Sequence, residues 1–158
     1  MLTVKIKDTV FKPPIIAASG TFGYGNEVEG FVDLSKLGAV ITKSITLKPR
    51  EGNLSPRIHG SDSGMINSIG LANIGVEKFC KVKVEPLNNL KTKYIVSIAG
   101  STIDEYVEIL TQIEQSKGNH VGYEINISCP NVKQGGIEFG VNKDIVCNLT
   151  SQLRELTQ

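Results

Sequence analysis

One pattern recurs along this chain and limits its fold more than any single residue: a short apolar run, a loop rich in glycine or asparagine, then an amphipathic helical stretch. Residues 15–19, 39–43, 94–99 and 121–125 are short runs dense in β-branched and aromatic side chains, which is strand chemistry. Strands separated by helices pair in parallel through right-handed crossovers. The order predicts an α/β fold of the TIM (β/α)8 barrel type, represented by roughly its first four βα units, with residues 1–158 as a single domain. Such a barrel needs about 250 residues, and half of one leaves two sheet edges and an apolar face uncovered. The expectation is therefore the N-terminal half of a barrel whose second half is absent, or a half that requires a partner.

Local signals add detail. Residues 2–6 and 10–12 read as a hairpin around Lys7-Asp8-Thr9, and Pro13-Pro14 stiffens the entry to the first barrel strand. Residues 27–37 are expected to be helical, ending at Gly38 in the C-terminal capping position. The segment 44–73 far exceeds the usual connection of roughly four to six residues. Connections of that length are functional or disordered, and the apolar content of Met65-Ile66-Asn67-Ser68-Ile69-Gly70-Leu71 predicts an ordered, partly buried stretch. Residues 76–90 carry a helix broken by Pro86. Another helix starts at Ser101-Thr102-x-Asp104-Glu105, with Tyr106, Val107, Leu110 and Ile113 as its apolar stripe, and residues 144–156 form a fourth.

Charge excludes some classes of function. The 17 lysines and arginines are scattered among 16 aspartates and glutamates, so no basic stripe marks a nucleic-acid partner. No apolar stretch reaches about 18 residues, and Met1-Leu2-Thr3-Val4-Lys5 lacks a basic segment followed by a hydrophobic one. The expectation is a cytoplasmic protein without a membrane span. Cys80, Cys129 and Cys147 form no Cys-x-x-Cys pair, and their odd number argues against a disulfide framework; no metal site is expected. Cys80 and Cys147 read as small buried hydrophobes on helices.

Cys129 differs because of its neighbours. In Asn126-Ile127-Ser128-Cys129-Pro130-Asn131 a thiol lies between two carboxamides where an apolar strand breaks into loop, and Pro130 ends the pairing by removing a backbone donor. Loops after strand C-termini build the active sites of α/β sheets and barrels, so Cys129 is placed to act as an acid or base. Asn126 and Asn131 each offer two donors and an acceptor, suited to a flat ring bearing alternating carbonyl and N–H groups. Lys43 ends an apolar strand, where a cation either snorkels to solvent or faces an anion or an electron-rich cofactor. The loop from Gly20 to Gly25 lacks the G-x-G-x-x-G spacing of a dinucleotide fingerprint and instead gives the backbone room beside a ligand.

Four ordered motifs make the chain resemble the class 1 dihydroorotate dehydrogenases along its whole length, most of all the 1B type. They are Ala18-Ser19-Gly20-Thr21-Phe22-Gly23-Tyr24-Gly25, Thr42-Lys43-Ser44, Gly64-Met65-Ile66-Asn67-Ser68-Ile69-Gly70-Leu71, and residues 126–133 with Gly135-Gly136. The resemblance implies a TIM barrel with FMN at the strand C-termini, oxidising dihydroorotate to orotate in pyrimidine biosynthesis, Cys129 taking the proton and FMN the hydride. It implies flavin contacts from Ser19, Lys43, Ser44 and Asn126. Substrate contacts are implied for Lys43, Asn67, Asn126 and Asn131, with the backbone of Ser68, Ile69, Gly70 and Leu71 closing over the ring. A homodimer is implied, as is a partner electron-transfer subunit carrying FAD and a [2Fe-2S] cluster and passing electrons to NAD. A thiol of ordinary pKa is only a few per cent thiolate at neutral pH, so turnover is expected to rise toward alkaline pH.

Some residues depart from the family pattern. Ser97 stands where many 1B sequences have an asparagine that touches FMN, so the resemblance does not carry that flavin hydrogen bond over, and Leu54 and Ile74 replace prolines. A second half-barrel would bring a strand-five lysine, further substrate asparagines and a glycine-rich phosphate site, so the isolated 158 residues are expected to bind FMN weakly or not at all and to be inactive. A dihydropyrimidine dehydrogenase flavin domain shares the Asn-x-Ser-Cys-Pro core but usually follows it with histidine where Asn131 stands. A non-catalytic half-barrel that folds only with another copy or a partner would read identically through residue 158.

Overall fold

The computed structural model describes residues 2–128 and 139–157. An antiparallel hairpin, β1 (Val4–Ile6) and β2 (Thr9–Phe11), precedes β3 (Ile16–Ala17) and β4 (Ala39–Ile41). A second hairpin, β5 (Ile58–Ser61) and β6 (Gly64–Asn67), leads to the short helices α1 (Val76–Val82) and α2 (Val84–Asn88). Then follow β7 (Lys93–Ile98), α3 (Ile103–Gln115), β8 (Tyr123–Ile125) and α4 (Lys143–Leu156). The centre is a four-stranded sheet in the order β3-β4-β7-β8, parallel throughout, with Ile16 opposite Ala39, Val40 opposite Tyr94 and Val96 opposite Tyr123. This is the expected α/β arrangement of parallel strands, with α-helical crossovers from β4 to β7 and from β7 to β8. Among the described residues the sheet is open, with β3 and β8 at its edges.

Period-two alternation places the core. Tyr94, Val96 and Ile98 leave β7 on one face and are fully buried with Val40 in a cluster that includes Phe79, Leu87, Tyr106, Ile109, Leu110, Ile113 and Leu149. Tyr106, Ile109, Leu110 and Ile113 recur at helical spacing, which is why α3 buries a single stripe. Its start is closed reciprocally: the Thr102 hydroxyl accepts from the Glu105 N–H at 3.2 Å, and the Glu105 carboxylate reaches back to the Ser101 N–H at 2.6 Å. Asn142 caps α4 from one side, its Oδ1 accepting from the N–H groups of Asp144 and Ile145.

The helix expected to be broken by Pro86 is interrupted at Lys83, between α1 and α2. Proline lacks an N–H and its ring crowds the carbonyl four residues earlier, here Val82, so the disturbance falls one turn ahead of the proline itself. The helix expected over residues 27–37 does not form. Two 3-10 turns, Asn26–Val28 and Leu34–Lys36, stand in its place. Gly30 at φ 91° takes the chain out of helical space, and the Asp33 carboxylate starts the second turn by accepting from the Ser35 N–H. Gly38 is not a helix cap: its N–H already pairs with the Ile15 carbonyl at 2.8 Å, and a Cβ there would collide with the Pro13 carbonyl oxygen.

Two further readings need correction. The segment 44–73 holds the β5–β6 hairpin, and the stretch expected to be partly buried is exposed through Met65, at 68%, and Ile66, at 70%; only Ile69, Gly70 and Leu71 are half-buried. Both β5 and β6 are exposed along their whole length, so no packing partner selects their apolar residues. Cys147 is exposed on the outer side of α4, not buried, and Cys80 is half-buried with its Sγ 3.6 Å from the Gln112 carbonyl. No helix among the described residues is long and apolar enough to cross a membrane.

Candidate active site

Three parallel strands deliver their C-terminal ends to one cleft of about 410 Å³, lined by Ser19, Lys43, Ser44, Leu71, Glu124, Ile125, Asn126, Ile127 and Ser128. Ser19 lies two residues beyond β3, Lys43 two beyond β4, and Asn126 directly after β8. The first two strands are shorter than their apolar runs, so Ser19 and Lys43 sit in the turns above the sheet. The Ser19 hydroxyl donates to the Thr42 carbonyl at 2.8 Å, and the Lys43 N–H donates to the Gly23 carbonyl at 2.7 Å, which ties the glycine-rich loop to the lysine. At Gly20, with φ 81°, a Cβ would stand 3.7 Å from the Lys43 ammonium. Lys43 also borders a larger surface groove of about 1040 Å³ that passes Tyr24, Glu27, Lys48 and Glu77. The smaller cleft is the candidate for chemistry because the strand-terminal polar groups converge there.

Asn126 is held at every polar atom that the fold can reach. Its N–H donates to the Ile98 carbonyl at 2.9 Å, and its own carbonyl accepts from the Tyr106 hydroxyl at 2.6 Å. The side-chain Nδ2 donates to Ser44 Oγ at 3.0 Å, and Oδ1 accepts from the N–H and hydroxyl of Ser128 at 3.2 and 2.9 Å. Ser44 Oγ in turn lies 2.8 Å from Ser97 Oγ, and the Ser97 hydroxyl donates to Glu124 Oε1 at 2.8 Å. Reading the sequence missed Glu124 and gave Tyr106 only a packing role. Strand alternation could have found Glu124: it stands between Tyr123 and Ile125 and opposite Ser97, so it shares the sheet face that Ser97 occupies.

The long second loop contributes less to this cleft than its motif suggests. Of Asn67, Ser68, Ile69, Gly70 and Leu71, only Leu71 lines it. Asn67 ends β6 opposite Ile58 and is exposed. The Ser68 N–H is taken by the Arg57 carbonyl at 2.8 Å, its carbonyl and hydroxyl accept from Asn53 Nδ2, and the Ile69 carbonyl accepts from the Asn53 N–H at 3.1 Å. Cys129 and Asn131 lie outside the described residues.

Comparison with known proteins matches the whole chain, residues 1–158, to the family model described as dihydroorotate dehydrogenase. The chain belongs to this family. It is 44% identical over 156 residues to the dihydroorotate dehydrogenase B (NAD(+)) catalytic subunit of Geobacter metallireducens, covering 99% of this chain and 51% of the relative. To the subunit of the same name in Petrotoga mobilis it is 45% identical over 155 residues, 98% of this chain and again 51% of the relative. A putative dihydroorotate dehydrogenase A (fumarate) of Aquifex aeolicus is 47% identical over 153 residues, 97% of this chain and 50% of the relative. The chain spans about half the length of the curated relatives it matches.

In this dihydroorotate dehydrogenase family member, the loop that carries Ser19 and Gly20 is clamped from behind by Glu27. One carboxylate oxygen accepts from the N–H groups of Tyr24 and Gly25 at 2.9 and 3.1 Å, and the other takes the Lys83 ammonium at 2.6 Å. Partial burial alone would raise the Glu27 carboxyl, but the Lys83 ammonium and the backbone N–H donors outweigh it and hold the group below the usual carboxylate range. The Lys83 ammonium also sits 5.3 Å over the Tyr24 ring, while the Tyr24 oxygen accepts from the Ile74 N–H at 3.0 Å. The same three residues therefore bind the first loop to the root of the second.

Proposed function

We propose that the protein oxidises dihydroorotate to orotate, the reaction of its family in pyrimidine biosynthesis, on a TIM barrel of which this chain supplies the first four βα units. The observation that carries this reading is the meeting of Ser19, Lys43, Ser44 and Asn126 at the carboxyl ends of β3, β4 and β8 around one cleft, in a chain that belongs to the family. The donor set fits a flavin: hydroxyl and carboxamide groups for a ring edge of alternating carbonyl and N–H, beside an ammonium with no ion-pair partner among the described residues. FMN, when bound, supplies the hydride acceptor. Ser19, Lys43, Ser44 and Asn126 hold it; Lys43 opposes the negative charge that gathers during the reaction, on the ring edge and on the substrate.

Removing a hydride from one carbon of dihydroorotate requires that a proton leave its neighbour, the carbon alpha to a carbonyl. Cys129, three residues after Asn126, is the base for that proton. Asn126 and Asn131 orient the substrate ring, and Asn67 with the backbone of Ser68, Ile69, Gly70 and Leu71 closes over it. Closure moves the arm from the position in which only Leu71 meets the cleft. Electrons would then leave through a partner subunit toward NAD, which the names of the Geobacter and Petrotoga relatives as NAD(+) catalytic subunits support; FAD and a [2Fe-2S] cluster on that partner rest on the family resemblance alone. The name of the Aquifex relative supports fumarate as the competing acceptor. A homodimer is part of the same reading.

The test is anaerobic. Dihydroorotate added to the flavin-loaded protein bleaches the flavin absorption band, and reoxidation by fumarate alone, against reoxidation by NAD only when the partner subunit is present, decides the acceptor. Cys129→Ser slows the bleaching at neutral pH by about 10²–10⁴-fold; unchanged kinetics remove Cys129 from the role of base.

A further inference from the structure

The buried polar groups behind the cleft form a directed chain that ends on a carboxylate. Asn126 Nδ2 donates to Ser44 Oγ at 3.0 Å, Ser44 and Ser97 hydroxyls meet at 2.8 Å, and the Ser97 hydroxyl donates to Glu124 Oε1 at 2.8 Å. Ser97 has one hydroxyl proton, and it is committed to Glu124. The proton in the Ser44–Ser97 contact therefore comes from Ser44. Ser44 and Ser97 are 3% and 0% exposed, so no solvent is at hand to reverse the order. The backbone of Ser97 is also committed: its N–H donates to Thr42 Oγ1 at 3.0 Å, and its carbonyl accepts from the Ile45 N–H at 2.9 Å. Ser44 is left with no proton for the cleft and with acceptor capacity only.

We propose that Glu124 is a positioning residue: acting through Ser97, it fixes Ser44 as a pure hydrogen-bond acceptor, so that this wall of the cleft receives a ring N–H and rejects a ring carbonyl. This rests on the flavin reading above. An oxidised flavin ring carries one N–H, at N3, between two carbonyls, so the N–H received by Ser44 is that one. Ser97 thus has a use that an asparagine at the same position would not need: it transmits the polarity set by Glu124 to a neighbour one strand away, across the register Ser97 to Glu124 and the contact between β7 and the end of β4. The same chain orients the Asn126 carboxamide, Nδ2 toward Ser44 and Oδ1 toward Ser128.

The protein is loaded with FMN labelled with 15N at N3, and the N3 nitrogen and proton resonances are compared in wild type, Glu124→Gln, Ser97→Ala and Ser97→Thr. A glutamine can donate to Ser97 and so allow the chain to reverse. The expected result is a protected, downfield N3 proton in wild type and in Ser97→Thr. In Glu124→Gln and Ser97→Ala it moves upfield and exchanges faster, with FMN bound about tenfold more weakly. An N3 signal that ignores Glu124→Gln overturns the proposal while leaving the flavin reading intact. If a polypeptide of the relatives' full length binds no flavin, the flavin reading fails; the 158 residues alone are expected to bind it weakly or not at all, and there the polarity is judged on the free protein from the side-chain amide resonances of Asn126. Glu124→Gln and Ser97→Ala must shift them and Ser97→Thr must not; resonances indifferent to all three overturn the chain itself.

Discussion

The sheet with its covering helices and the 44–73 arm differ in what holds them, although both border the cleft. Behind the sheet, Val40, Phe79, Val96, Ile98, Ile109 and Leu149 are fully buried and contribute through area removed from water. The arm has no such core: Ile58, Met65 and Ile66 are more than half exposed, and its root is held by polar contacts centred on Asn73. Asn73 Oδ1 accepts from the N–H groups of Thr46 and Gly75 at 3.1 and 2.9 Å, and its Nδ2 donates to the Leu71 carbonyl at 2.9 Å. A rigid sheet thus fixes Ser44 and Asn126, while a hydrogen-bonded hinge carries Asn67 and Ser68. On the proposed reading, groups that must keep their geometry ride on the first, and groups that close over a ligand ride on the second.

Substitutions on each side break the comparison to different degrees. Phe79→Ala empties the middle of the core and is expected to lower unfolding free energy by about 3–5 kcal/mol in urea titration. Asn73→Ala orphans buried N–H groups at the arm's root and is expected to cost about 2–3 kcal/mol, with amide exchange accelerated over residues 46–75 and unchanged in β7. A change smaller than about 0.5 kcal/mol at Asn73 would show that the arm's polar root is not what holds it.

Acid sharpens the contrast without mutation. His120 packs against the rings of Tyr94 and Tyr123, with Glu114 Oε1 3.4 Å from its Nε2. Burial holds its pKa below the ordinary histidine value of 6.5, and the opposing pull of Glu114 does not restore it. The unfolded chain therefore takes up the proton first. The contribution from His120 is complete above about pH 6.5 and is lost as pH falls through its lowered folded value. Glu27, also held down, follows the same sign in a lower window, starting below its ordinary value of 4.5. Urea midpoints measured from pH 8 to 5 are expected to fall in wild type and to fall less in His120→Gln; equal slopes would exclude His120 as the group responsible. The smallest effect belongs to the arm tip: Met65→Ser is expected to change stability by less than about 0.5 kcal/mol, because the side chain leaves water hardly at all on folding.

These differences also explain what could be read from residues alone. β4, β7, α3 and α4 were legible because burial on one face imposes a period, and the caps at Thr102 and Asn142 mark their starts. Residues 27–37 misled because Glu27 looks like an acidic first turn, while its carboxylate in fact serves the backbone of Tyr24 and Gly25. The arm escaped because neither face of β5 or β6 is buried, so no alternation selects its residues. At the cleft, Lys43 and Asn126 stood out from their places after apolar strands, whereas Ser44 came only with the family resemblance. Glu124 was passed over because a lone carboxylate on a short strand reads as a solvated edge, and Ser97 because its value lies in which way it sends one proton.

The order of strands in the sheet, β3-β4-β7-β8, is also their order along the chain. Each new strand can therefore dock on a neighbour that has already left the ribosome, and none has to wait for a later segment to be made before it finds its place. Growth by addition at one edge lets a nascent polypeptide settle as it emerges, with the β5–β6 hairpin looped aside while β7 joins β4.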